Sequence, residues 1–311
     1  MSVALALPLF GASALLTLAA AGFFADKLDH IGPRLGLPEA AVGLLTALAA
    51  DTPEIASAIV ALAEGRKQAS LGVVLGSNVF NLAAMIGLSA LLAGSVAIRR
   101  RALAIEGAVS MLAFFVTAGL VLGVLPAAPA FVLLLAIVGP YVVFTLRRSP
   151  GHAPAHRHAG GEAILKPVML ILPAVALIVV GATGMVKAAI ALADRWHVSQ
   201  TITGLLVLAI LTSLPNAFTA VRLGRAGRGD ALVTETLASN TINLTGGVLV
   251  PALFVGIARG SGGVDFDLAW LLGMTLIALA ALAPARGLGR PVGALLVGAY
   301  LVFVAVQLTI S

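Results

Sequence analysis

The sequence predicts an all-α integral membrane protein of ten transmembrane helices, built as two five-helix repeats of inverted topology. Three observations carry that expectation. Of 311 residues, 60% are hydrophobic and 10% charged, whereas soluble domains hold about 45–50% apolar and about 25% charged residues. Ten apolar stretches approach or exceed the roughly 20 residues that a spanning helix needs. The chain also matches itself, ungapped, at a shift of 162 residues. This composition excludes an ordinary soluble enzyme, a disordered chain and a nucleic-acid module. With no Cys there is no disulfide framework and no thiolate chemistry.

Taken in order, span 1 covers residues 3–24. Its first basic residue is Lys27, so no positive segment precedes the apolar run, and it reads as a retained span rather than a cleaved signal. Span 2 (37–63) carries Asp51, Pro53 and Glu54 at its middle, and span 3 (69–97) carries Gly76-Ser77-Asn78-Val79-Phe80-Asn81. Spans 4 and 5 cover 102–124 and 128–146. The polar stretch 149–162 reads as a linker between a first repeat (1–148) and a second (163–311). Spans 6 to 10 follow at 164–190, 200–223, 230–257, 267–284 and 290–310. Several exceed the minimum length, which implies tilt or interruption. Glu39, Glu106, Lys187 and Glu235 lie near span ends and read as snorkelling side chains. Tyr141 and Trp196 read as interface anchors. His152, His156 and His158 in the linker read as solvated rather than metal-binding.

Basic residues set the orientation. The loops after spans 1, 3, 5, 7 and 9 hold fourteen of the 19 Lys and Arg, and the opposite face holds five: Arg66, Lys67, Lys187, Arg195 and Arg259. The positive-inside rule places the richer face, linker included, in the cytoplasm and both termini outside. The net charge of +6 then reflects membrane-surface loops.

The self-match covers spans 2–3 and 7–8. Between residues 44 and 82, 12 of 39 positions are identical to those 162 further on, among them Pro53/Pro215, Ser77/Ser239, Asn78/Asn240 and Asn81/Asn243. Roughly four would coincide by chance. Five spans separate the copies, so they lie in opposite orientations, the pattern of secondary transporters.

Both copies place polar groups at mid-membrane. Pro53 and Pro215 each remove a backbone donor and predict a break in their helix. Loosened carbonyls at that depth need a cavity or an ion. Asp51 and Glu54 are three residues apart and share a helix face. Intramembrane carboxylates are costly and mark functional sites. With neighbouring hydroxyls they suit a hard cation, which makes both candidate metal ligands. Ser77 and Asn81 share a face of span 3, while Asn78 points away from it. The motif recurs at Ser239, Asn240 and Asn243.

With its second copy reading Thr212-Ser213-Leu214-Pro215-Asn216, the chain resembles the sodium/calcium exchanger family, whose repeats carry G-T-S-x-P-E and G-S-N-[IV]-F-[ND] stretches. The resemblance implies a sodium/calcium exchanger-like fold in which the repeats meet around a cation cluster. Carried over by position, it implies ion ligands at Glu54, Ser77, Asn81, Thr212, Ser213 and Ser239, and backbone-carbonyl ligands at Ala47 and Ala209. Asn243 occupies the last place of the second motif. Three positions depart from the family pattern. Asn216 stands where a second glutamate is expected, Ala50 where a threonine is, and Asp51 where a serine is. Both acids therefore sit on span 2. Their mutual repulsion opens a route to proton coupling.

The expected activity is exchange of Ca2+ or a related cation against Na+ or H+ by alternating access, and the resemblance implies that spans 1 and 6 are the mobile elements. Monovalent exchange at the same site is the alternative. A 5+5-helix metabolite exporter would want aromatic and basic groups at mid-membrane, and aromatic residues are only 5% here. An intramembrane hydrolase would want a His at that depth, and all five lie in loops or at span ends. No enzyme activity, cofactor or nucleic-acid partner is expected. The lipid bilayer and the transported metal cations are the partners, and a monomer suffices. The expected location is the cell inner membrane.

Overall fold

The computed structural model describes residues 1–34, 39–147, 161–254, 256, 262–284 and 287–310. Ten long helices account for nearly all of them. They are α1 (Val3–Arg34), α2 (Glu39–Ala63), α3 (Lys67–Ala93), α4 (Arg100–Val121) and α5 (Ala127–Arg147). The second set is α6 (Gly161–Trp196), α7 (Gln200–Arg225), α8 (Gly229–Phe254), α9 (Gly262–Leu282) and α10 (Arg290–Ile310). Nine contain a described segment long and apolar enough to cross a bilayer. The other, α2, has 25 residues, or about 38 Å at 1.5 Å per residue. A two-residue antiparallel ladder pairs β1 (Ser95–Val96) with β2 (Leu288–Gly289) and ties two inter-helix loops together.

The distribution of polarity is that of a membrane protein. Leu15, Val124, Leu172 and Phe254 are more than two-thirds exposed, forming an apolar outer skin. Asp51, Glu54, Ser77, Asn78, Asn81, Ser213 and Asn243 are fully buried. The centre is made by the hairpins α2–α3 and α7–α8, which close identically. Gly65 (φ +74°) and Gly227 (φ +69°) each adopt the left-handed conformation that glycine favours. Arg66 N–H donates to Ala61 O and Arg228 N–H to Leu223 O, both at 2.9 Å, so the same helix-ending motif recurs at repeat-equivalent positions. Around this centre α1 pairs extensively with α6.

The helices differ from the sequence expectations in four respects. Residues 161–162, assigned to the linker, open α6, whose 36 residues outreach the roughly 20 that a bilayer requires. The rest of the linker, including its three His, lies outside the described residues. Pro53 and Pro215 do not break their helices, since both lie inside continuous α-helix. Each removes one backbone bond, and the bonds on either side carry the helix through. The local departures are π-helical instead, at Leu82–Leu88, Thr203–Leu208 and Asn243–Leu249. Two of these begin at or next to the polar motif. Finally, Tyr141 is no exposed anchor: it is 8% exposed and donates a 2.8 Å hydrogen bond to Glu106, which therefore bridges α4 and α5 rather than snorkelling. Trp196 does sit at a helix end, 54% exposed. Lys187 pairs with Glu64 at 3.2 Å, Glu235 is half-buried in α8, and the Glu39 side chain lies outside the described residues.

Candidate ion-binding site

One close approach sets the site. A Cβ on Gly76 would lie 2.7 Å from the Leu205 Cα and 2.9 Å from the Ala209 Cβ. Only glycine therefore lets α3 press against α7 at the residue before Ser77.

The two repeats are clasped across this contact. Asn78 Nδ2 donates to the Asn240 carbonyl at 3.2 Å, and Asn240 Nδ2 donates to the Asn78 carbonyl at 3.2 Å. The two residues are repeat equivalents, so the bonds are related by the pseudo-two-fold axis between the halves. Each amide satisfies backbone in the opposite repeat, which neither sequence copy alone displays.

Beside the clasp, α2 presents Asp51 and Glu54 to the second repeat. Ser213 Oγ donates to Glu54 Oε1 at 2.9 Å. Asn216 Nδ2 donates to Asp51 Oδ1 at 2.8 Å and to Glu54 Oε1 at 3.2 Å. Ser239 Oγ donates to Asp51 Oδ1 at 2.5 Å. Asn81 Nδ2 reaches Ser239 Oγ at 3.1 Å and Asn240 Oδ1 at 3.2 Å. One network thus joins α2, α3, α7 and α8, and each acid oxygen it uses is met by the opposite repeat.

The network leaves a second set of polar atoms free. Asp51 Oδ2, Glu54 Oε2, Ser77 Oγ, Asn81 Oδ1, Asn216 Oδ1 and both polar atoms of Asn243 are buried and have no hydrogen-bond partner among the described residues. A buried polar atom without a partner costs about 1–3 kcal/mol. Nor does any ion pair reach Asp51 or Glu54 among the described residues. Carboxylate, hydroxyl and amide oxygens are the donors that hard cations take. Among the described residues, however, no three His, Cys, Asp or Glu side chains come together, so the acidic charge is confined to one pair.

Six sequence candidates meet in this network: Asp51, Glu54, Asn81, Ser213, Asn216 and Ser239. Ser77 and Asn243 are buried on the same helices but bond to neither acid. Thr212 is turned into its own helix, its hydroxyl donating to the Leu208 and Ala209 carbonyls at 2.9 and 3.2 Å. That bond engages the Ala209 carbonyl, and Ala47 is buried. One intramembrane acid was missed. Asp267 on α9 is 2% exposed and accepts a hydrogen bond from Gln307 on α10. The signal was its ionisable side chain inside an apolar helix; the expected span began at Asp267 and so placed it at an edge.

Comparison with known proteins agrees with this architecture. A family model described as sodium/calcium exchanger protein matches residues 5–149 and 166–309. Inner membrane protein YrbG of Escherichia coli (strain K12) is 28% identical over 298 residues, covering 89% of this chain and 88% of that protein. Sodium/potassium/calcium exchanger 2 of Homo sapiens is 30% identical over 122 residues, 37% of this chain and 18% of that longer protein. Among solved structures, the sodium-calcium exchanger NCX_Mj soaked with 10 mM Na+ and zero Ca2+ superimposes with a TM-score of 0.71 at 19% identity, covering 98% of this chain and 99% of that one. The multi-pass fold is therefore shared, and with the family model matching both halves of the chain, this protein belongs to the sodium/calcium exchanger family.

Proposed function

We propose that this chain exchanges Ca2+ or a related cation against Na+ or H+ by alternating access, with Asp51 and Glu54 as the charged ligands. The observation that carries this reading is the buried acid pair, faced by hydroxyl and amide groups from the opposite repeat and by no basic partner among the described residues. Asn81, Ser77, Ser213, Ser239, Asn216 and Asn243 supply neutral oxygens around the pair, with Thr212 and the Ala47 and Ala209 carbonyls on its margin. The Asn78–Asn240 clasp holds the two halves together as a core, and α1 with α6 slides across it to open each side in turn. Both termini lie outside the cytoplasm of the cell inner membrane, and a single chain holds a complete site.

Exchange at this site of Na+ or another monovalent cation against H+ is the second reading. It is favoured by the confinement of acidic charge to one pair on one helix. The two are separated by flux into proteoliposomes under imposed Na+ or H+ gradients, with 45Ca2+ and 22Na+ as tracers. Gradient-driven 45Ca2+ uptake supports the first, 22Na+ movement against H+ alone supports the second, and no flux of either ion rejects both.

A further inference from the structure

Asn216 occupies the position equivalent to Glu54 in the other repeat. Its amide lies between the two acids, 2.8 Å from Asp51 Oδ1 and 3.2 Å from Glu54 Oε1. An amide between two carboxyl oxygens must present N–H to them, because its own oxygen would be repelled. Its Oδ1 is buried and has no partner among the described residues. A half-turn of the side-chain amide would exchange the two ends. The group can then donate to the acids when no cation separates them and accept a cation when one does. A glutamate at this position could not donate in the ionised state.

This matters for coupling. An exchanger forbids net flux because its unloaded acids are too costly to carry across the low-dielectric centre. Here four hydrogen bonds from the second repeat fall on those acids, two of them from Asn216. We infer that Asn216 is a stand-in for the transported cation, bridging Asp51 and Glu54 in the unloaded carrier so that it crosses the membrane and permits net cation flux alongside exchange. This rests on the transport reading above and deepens it, by assigning Asn216 to the balance between exchange and one-way flux.

The test loads proteoliposomes of the full chain with 22Na+ or 45Ca2+, whichever the gradient assay shows to be carried. Efflux is compared with and without that cation outside. Thiocyanate, a permeant anion, collapses the membrane potential, and a trapped pH dye reports proton counter-flow. The expected result is net efflux within tenfold of exchange with no matching proton uptake. Asn216→Glu and Asn216→Ala should each lower the ratio of net efflux to exchange at least tenfold, whereas a packing role would lower both fluxes together and leave the ratio unmoved. Exchange without net efflux, net efflux matched by proton uptake, or an unmoved ratio in both variants would overturn the inference while leaving the transport reading standing. No flux in either mode would overturn the transport reading, and the inference with it.

Discussion

The hairpins α2–α3 and α7–α8 share a turn, a clasp and a polar motif, yet they divide the chemistry unequally. The first hairpin holds both acids, Asp51 and Glu54; the second answers with Ser213, Asn216 and Ser239, none of which is charged. The positions equivalent to Asp51 and Glu54 are Ser213 and Asn216. Each acid therefore faces the second repeat's neutral groups across the axis. The frame is symmetric and the charge is not. That contrast separates what the duplication fixes, the packing of four helices, from what each copy is free to vary, the groups at the centre.

The division of labour can be tested at its strongest point first. Glu54→Gln should leave membrane insertion intact and lower exchange by about 100-fold, the weight of a ~3 kcal/mol charge-assisted contact. Flux in proteoliposomes checks it, and normal flux would remove Glu54 from the mechanism. Next comes transfer of charge across the axis. Asp51→Ser combined with Asn216→Glu gives one acid to each repeat and should tighten Ca2+ binding by about tenfold, because Ca2+ gathers carboxylates from several directions. Isothermal titration would detect this, and an unchanged affinity would show that the one-sided arrangement does not limit binding.

Packing differs between the hairpins as well. Gly76 has Ala238 as its repeat equivalent, so Gly76→Ala makes the copies more alike. It should nevertheless destabilise the protein by about 1–3 kcal/mol through overpacking against Leu205 and Ala209, seen as a lower melting temperature in detergent. The clasp alone would make Asn78→Ala and Asn240→Ala cost the same, about 1–2 kcal/mol each. Asn240 Oδ1 also accepts from Asn81, whereas Asn78 Oδ1 has no partner among the described residues, so Asn240→Ala should cost about 1 kcal/mol more, and a larger loss for Asn78→Ala in thermal unfolding would argue against this frame. The smallest effect belongs to Lys187→Ala. Its pair with Glu64 is about half exposed on both sides, and such pairs contribute about 0–1 kcal/mol.

Much of this was legible in the sequence because the repeat made it so. Leu and Ala matches carry little information in an apolar chain, but Pro, Ser and Asn held in register pointed to the four helices that meet at the centre. The six residues of the acid network were all among the candidates for that reason. What sequence spacing could not give was side-chain direction. Thr212 is the sequence neighbour of Ser213 in the network, yet a helical threonine can satisfy itself on the carbonyl one turn back, and it does. Nor could spacing reveal partners on other helices. Glu106 and Tyr141 looked like separate interfacial residues because 35 positions divide them. Asp267 and Gln307 are 40 apart. The prolines misled in a different way, since a rule about one lost bond does not determine whether the helix around it gives way.

The clasp between Asn78 and Asn240 has an implication for how such proteins diversify. Each amide nitrogen grips main chain, so the joint holds whatever residues either copy later acquires nearby. Carboxylates can migrate from one half to the other, or be traded for amides, without loosening the scaffold that brings the halves together. Ion preference is thereby released from architecture, and a lineage can change its cargo one residue at a time.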